Sequence, residues 1–176
     1  WIMKKTLLAV LAIATSVGVL AQGTILNTNF PQVLNDGVNR MITDSDGVTG
    51  LGPEYWVQVY QGDTPLGSAV HFSAIPAAAG YWTDSSSIVS TSAPGETVSL
   101  TVRAWEPGAD SYEAAMAGGL LTGMSDPFDQ VLGGAGEPAG PPTEMWGLTA
   151  FSLVPEPSTA ALGILGAVAF MLRRRK

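Results

Sequence analysis

The stretch Thr97–Glu106 reads TVSLTVRAWE, and its apolar side chains fall on every second position. Val98, Leu100, Val102 and Ala104 share one face, while Thr97, Ser99, Thr101 and Arg103 share the other. Successive side chains of an extended chain point to opposite sides of a sheet, so this period is that of a β-strand buried on one face. A second run, Tyr55–Gln61 (YWVQVYQ), is rich in aromatic and β-branched residues and closes at the turn signal Gly62-Asp63.

Outward from these two, the same reading predicts strands at Ile25–Phe30, Ala69–Ala74, Gly80–Thr83, Ser87–Thr91, Asp129–Leu132 and Gly147–Val154, punctuated by Gly, Pro, Asp and Ser. Eight short strands at this spacing predict an all-β fold, an antiparallel β-sandwich of Ig-like or jelly-roll type. Ser111–Leu121 (SYEAAMAGGLL) departs from the pattern. There Ser111 can cap a short helix, Glu113 sits in its first turn, and Gly118-Gly119 should end it. Gly133–Pro142 (GGAGEPAGPP) has no period and reads as a surface loop.

Charge is distributed unevenly. The 176-residue chain has a formal charge of −7, but six of its eight Lys and Arg lie in the two ends. Between Gln22 and Val154 only Arg40 and Arg103 face fourteen acids, a formal charge of about −12. Nucleic acid is excluded as a partner, because neutralising phosphates requires clusters of Lys and Arg. With no cysteine and a single histidine, His71, the chain has neither disulfide staples nor the ligands of a structural zinc site.

The ends read differently from the middle. Lys4 and Lys5 precede an apolar run, Leu7–Leu20, and small residues lead to a cleavage point between Ala21 and Gln22; residues 1–21 are expected to be a secretory signal peptide, helical in its apolar part. At the other end, Thr159–Leu172 is apolar for fourteen residues, about 21 Å as a helix against a hydrocarbon core of about 30 Å. It is expected to be a short transmembrane helix that spans with help from Arg173, Arg174, Arg175 and Lys176, which snorkel and stop transfer on the cytoplasmic side. Pro155-Glu156-Pro157, just before it, favours an extended handle, because proline lacks an amide donor and biases its predecessor away from helix.

Pro155-Glu156-Pro157, the short Gly/Ala/Leu-rich span and the basic block in this order resemble the PEP-CTERM sorting signal of exported bacterial proteins, over about the last two dozen residues. The resemblance implies recognition by an exosortase at the inner membrane, transient anchoring there, and transfer to the cell surface or an exopolysaccharide matrix of a Gram-negative-type bacterium. The middle, with DSDGVTGLGPEYWVQVYQG, TVSLTVRAWE, SYEAAMAGG and GLTAFSLVPEPS in order, is similar to uncharacterised PEP-CTERM proteins of the Verrucomicrobia type, a likeness that implies no activity. The domains expected are therefore the signal peptide (1–21), an acidic β-domain (22–154) and the sorting signal (155–176).

Three features of the middle invite a chemical reading. Asp44-Ser45-Asp46-Gly47 alternates carboxylates before a glycine, a fragment of a Ca²⁺ loop; a solvated turn is the plainer reading, since the further acids of an EF-hand are missing. Trp56, Trp82, Trp105 and Trp146, with Tyr55, Tyr60 and Tyr81, could form a sugar-stacking platform, and Trp56 and Trp105 each lie opposite the apolar row of their strand, which suits outward display; core or edge packing is the plainer alternative. His71 lies in AVHFSA with no Gly-x-Ser-x-Gly elbow in the chain, and reads as a structural histidine. Glu106 with Asp110 or Glu54 would be the carboxylate pair of a divergent polysaccharide hydrolase. The function expected is a non-enzymatic, cofactor-free surface or matrix protein, with a carbohydrate-binding module as the alternative.

Overall fold

The computed structural model describes residues 22–30, 36–136 and 139–155. They form a mostly β structure of two antiparallel sheets and one α-helix. The strands are β1 (Thr24–Thr28), β2 (Trp56–Gln61), β3 (Thr64–His71), β4 (Thr83–Val89), β5 (Thr97–Trp105), β6 (Thr122–Met124) and β7 (Phe128–Val131); the helix α1 (Tyr112–Gly118) follows β5. β1 pairs with β4, and the larger sheet runs β3-β2-β5-β6, with β7 also on β5.

β5 is central and behaves as its alternation requires. Val98 is 8% exposed, and Leu100, Val102 and Ala104 are fully buried. They join Val57 and Val59 of β2, Ile25 of β1 and Ile88 of β4, so both sheets contribute to one core. β2 and β3 form a hairpin through Gly62-Asp63, Gly62 taking the left-handed conformation (φ 60°) that a side chain resists.

Several elements differ from expectation for identifiable reasons. β3 begins at Thr64 rather than Ala69: Pro65 and Gly67, which read as loop, are tolerated because β3 is an edge strand and its register shifts opposite Gln58. The expected strands Gly80–Thr83 and Ser87–Thr91 meet in one strand, β4, which keeps Thr83 of the first and Ser87–Val89 of the second; between them Asp84–Ser86 span an irregularity in the pairing with β1, between Thr28↔Thr83 and Leu26↔Ser87. Gly147–Val154 is no strand. Leu148 and Leu153 are fully buried, but backbone pairing is limited to single bridges, Thr43 to Ser152 and Thr122 to Val154. β6, three residues long, was not anticipated.

The helix matches expectation closely. The Ser111 hydroxyl accepts from the Ala114 amide at 3.1 Å, Glu113 lies in the first turn, and Gly119 closes the helix at φ 70°. α1 covers the face of β5 opposite the main core. Tyr60, Trp105, Tyr112 and Ala115 form a second, smaller apolar cluster there.

The chain enters and leaves this body at opposite ends of β5. Thr24 bridges to Gly133, just beyond the β7 residue Val131 that pairs with Thr97. Val154 pairs with Thr122, whose other neighbour is Trp105. The nine residues of β5 separate the two points by about 26 Å at 3.3 Å per residue.

Candidate functional site

The two tryptophans singled out from the sequence are direct neighbours in the β2–β5 register. Their surroundings differ. Trp105 is 1% exposed: it lies on the expected face, but α1 covers that face, Tyr112 meets its ring edge to face at 6.4 Å, and its indole N–H donates to the Ala109 carbonyl at 3.0 Å. Outward display of Trp105 is thereby corrected. Trp56 is half-buried and stacks on His71 with ring centroids 3.6 Å apart.

Asp44 and Asp46 sit at a tight turn in which the Gly47 amide donates to the Asp44 carbonyl and the Asp44 amide to Thr49. The Asp46 carboxylate accepts from the Val48 and Thr49 amides, each at 2.8 Å, and from the Thr49 hydroxyl. These bonds, the hydroxyl first, hold its carboxyl below the usual range. Its oxygens thus serve the loop itself, and among the described residues no group of three His, Cys, Asp or Glu side chains is placed to hold a metal. Nearby, burial, then the negative charges of Asp44, Glu54 and Glu106, push the Tyr55 phenol up.

Sequence reasoning passed over the two cations of the domain, and both are internal. Arg40 is fully buried and grips Asp36 with both terminal nitrogens, at 2.6 Å on one arm, while Nη2 also donates to the Trp146 carbonyl at 2.7 Å. The Arg40 guanidinium holds the Asp36 carboxyl at about 2. Arg103, 9% exposed, reaches Glu113 at 3.1 Å and Asp63 at 2.9 Å, tying α1 to the β2–β3 turn across the Tyr60 ring. The signal available was rarity: two cations among fourteen acids, one of them four residues from an acid.

Also unforeseen is a cleft of about 240 Å³ between the chain following β3 and the residues leading into β4. Phe30 and Tyr81 supply half-buried rings over the buried Phe72 and Trp82, His71, Ser73 and Thr83 supply polar groups, and among the described residues no acid, lysine or arginine lines it. Phe30 and Tyr81 meet edge to face at 5.8 Å. Trp82 is locked by Asn27 of β1 and Asn29 just after it: its indole N–H donates to Asn27 Oδ1 at 2.9 Å and its amide to Asn29 Oδ1 at 2.7 Å.

Of the terminal features, Gln22 and Pro155 are described and exposed. Ala21, Glu156, Pro157, Arg173, Arg174, Arg175 and Lys176, with the expected signal and transmembrane helices, lie outside the described residues. Among the described residues no helix is long and apolar enough to cross a membrane. No protein-family model, curated protein or solved structure matches the chain.

Proposed function

We propose that the chain is an exported bacterial protein whose acidic domain is delivered by its two ends to the cell surface or exopolysaccharide matrix, and that it acts there as a structural component without catalysis. Its partners in transit are the secretion machinery and an exosortase, reached while the C-terminal segment holds it at the inner membrane. The delivered domain is read as a β-sandwich, supported by the single core to which both sheets contribute.

The observation that carries this reading is how the described domain is tied at the two edges that adjoin the expected processing points. At one edge Gly23 donates to Ser92 and accepts from Ser90, close to the expected cleavage point between Ala21 and Gln22. At the other edge Val154 and Thr122 pair reciprocally at 2.8 and 3.3 Å, just before Pro155-Glu156-Pro157 in the sequence. A processing enzyme requires extended, unpaired chain, and Pro155 is exposed beside a firmly paired edge. The domain's acidity, with both its cations internal, suits solubility outside the cell.

The test is the mass of the C-terminal peptide of the protein from surface and membrane fractions of its host. The reading expects a surface form ending near Pro155-Glu156-Pro157 without Arg173–Lys176. Retention of those four residues in every fraction overturns it.

A further inference from the structure

We propose that the cleft bounded by the half-buried rings of Phe30 and Tyr81, with the buried Trp82 in its floor, binds a neutral pyranose unit of an extracellular polysaccharide. This rests on the reading of the domain as one delivered outside the cell. Three properties of the cleft select that ligand.

Size comes first. At about 240 Å³ the cleft falls below the roughly 300–1,000 Å³ of sites for drug-sized molecules, so it accepts a single ring and leaves the rest of a polymer outside. Its walls then suit a sugar. The half-buried rings of Phe30 and Tyr81 can pack against the C–H face of a pyranose, while Ser73, Thr83 and His71 provide groups for its hydroxyls. The Ser73 hydroxyl accepts from the Ile75 amide at 3.1 Å and keeps its own hydrogen to donate. His71 is held against Trp56, with Nδ1 3.3 Å from the Tyr55 carbonyl, which leaves Nε2 as the ring's second polar atom.

Charge decides between ligands of similar shape. The domain carries fourteen acids, yet none of those among the described residues lines this cleft. A cation there would meet no carboxylate, and an anion such as a uronate would be opposed by the field of the domain without a lysine or arginine to receive it. A neutral, hydroxyl-rich ring meets neither penalty. The site is also built in advance: Asn27 and Asn29 fix Trp82, and Phe72 packs edge to face on it at 6.0 Å, so little ordering is left for the ligand to impose.

The experiment uses the full chain in a detergent without a sugar headgroup, such as lauryldimethylamine oxide. Cellohexaose, mannohexaose and isomaltohexaose are the neutral probes and polygalacturonate the anionic one, with saturation transfer and tryptophan fluorescence as readouts. Millimolar or tighter binding of a neutral probe is expected, weakened at least about tenfold by Tyr81→Ala. Ile75→Ala removes a lining side chain that is 64% exposed, so the fold is spared, and weaker binding is expected there too. Trp146→Ala, outside the cleft and 51% exposed, should bind as the parent does.

The proposal is overturned if no neutral probe binds the folded protein, if both cleft variants bind unchanged, or if polygalacturonate is preferred. Sorting is read from the C-terminal mass and sugar binding from the titration of the folded chain, so the failure of one is told apart from the failure of the other.

Discussion

The guanidinium carbon of Arg103 lies 4.1 Å from the centroid of the Tyr60 ring, with Tyr112 on the same group at 5.3 Å. The hydrogen bonds to Asp63 and Glu113 end on exposed carboxylates and contribute little by themselves. The stacking and the buried stem contribute more. Arg103→Ala is therefore expected to cost about 1–3 kcal/mol in urea unfolding, little changed by 1 M salt. Arg103→Lys should recover only part of this, because an ammonium cannot reach both carboxylates and the Gly62 carbonyl from one plane. A loss that vanishes in high salt would assign the site to the ion pairs instead.

Burial, reinforced by Glu113, pushes the Tyr60 phenol up to about 12, from an ordinary value near 10. Between those pH values the unfolded chain releases this proton and the folded chain keeps it. Stability is thus full below pH 10 and declines as pH rises toward 12. Tyr60→Phe has no proton to release, so its unfolding midpoint should fall less steeply over that window. Parallel curves for the two proteins would contradict the assignment.

Asp36 has the opposite sign. Its folded value of about 2 lies below the ordinary 3.8, so its contribution is present above pH 3.8 and is lost as pH falls through 2. Asp36→Asn leaves Arg40 buried without its anion at neutral pH, and the variant should be less stable there. The gap between parent and variant is expected to close on acidification below pH 3.8. A gap independent of pH would show that the carboxylate charge is not what Arg40 needs.

The fate of these residues marks what was legible. Alternation along β5 identified its buried row, because the period of an extended chain is set by backbone geometry and needs no knowledge of neighbours. It also placed Trp105 on the other face correctly. What it could not supply was the cover: α1 lies only a few residues further on, but alternation reports which face a side chain is on and not what later packs against that face. Arg103 was obscured in the same way, reading as a solvent-facing charge. The cleft left no periodic trace at all. Phe30, His71 and Tyr81 come together from three separate segments, and that meeting is a property of the topology. Pro65 and Gly67 misled because they break central strands but not a shifted edge.

The Asp44–Thr49 loop offers a direct check on ligand chemistry. Both Asp46 oxygens already accept from Val48 and Thr49, so a cation would have to displace bonds that shape the loop. Millimolar Ca²⁺ is expected to leave the thermal midpoint within about 1 °C of its value in chelator. A rise that saturates with Ca²⁺ concentration would mean that the cation binds the folded state preferentially, and Asp46→Asn should then abolish it.

The helix that hides Trp105 is held by its two ends, and these can be weakened without touching the tryptophan. Ser111→Ala removes the side-chain acceptor for the Ala114 amide and is expected to cost about 1 kcal/mol. Gly119→Ala places a Cβ at φ 70° and should cost a similar amount, although the space around it is open. Both costs should be concentrated in local opening of α1. Hydrogen exchange is therefore expected to quicken at Ala115 and Leu120, whose amides bond within the helix and its cap, while Val102 in β5 keeps the parent rate. Equal acceleration in β5 would mean that α1 opens only with the whole sheet, and Trp105→Ala, expected to cost about 3–5 kcal/mol, would then unfold helix and strand together.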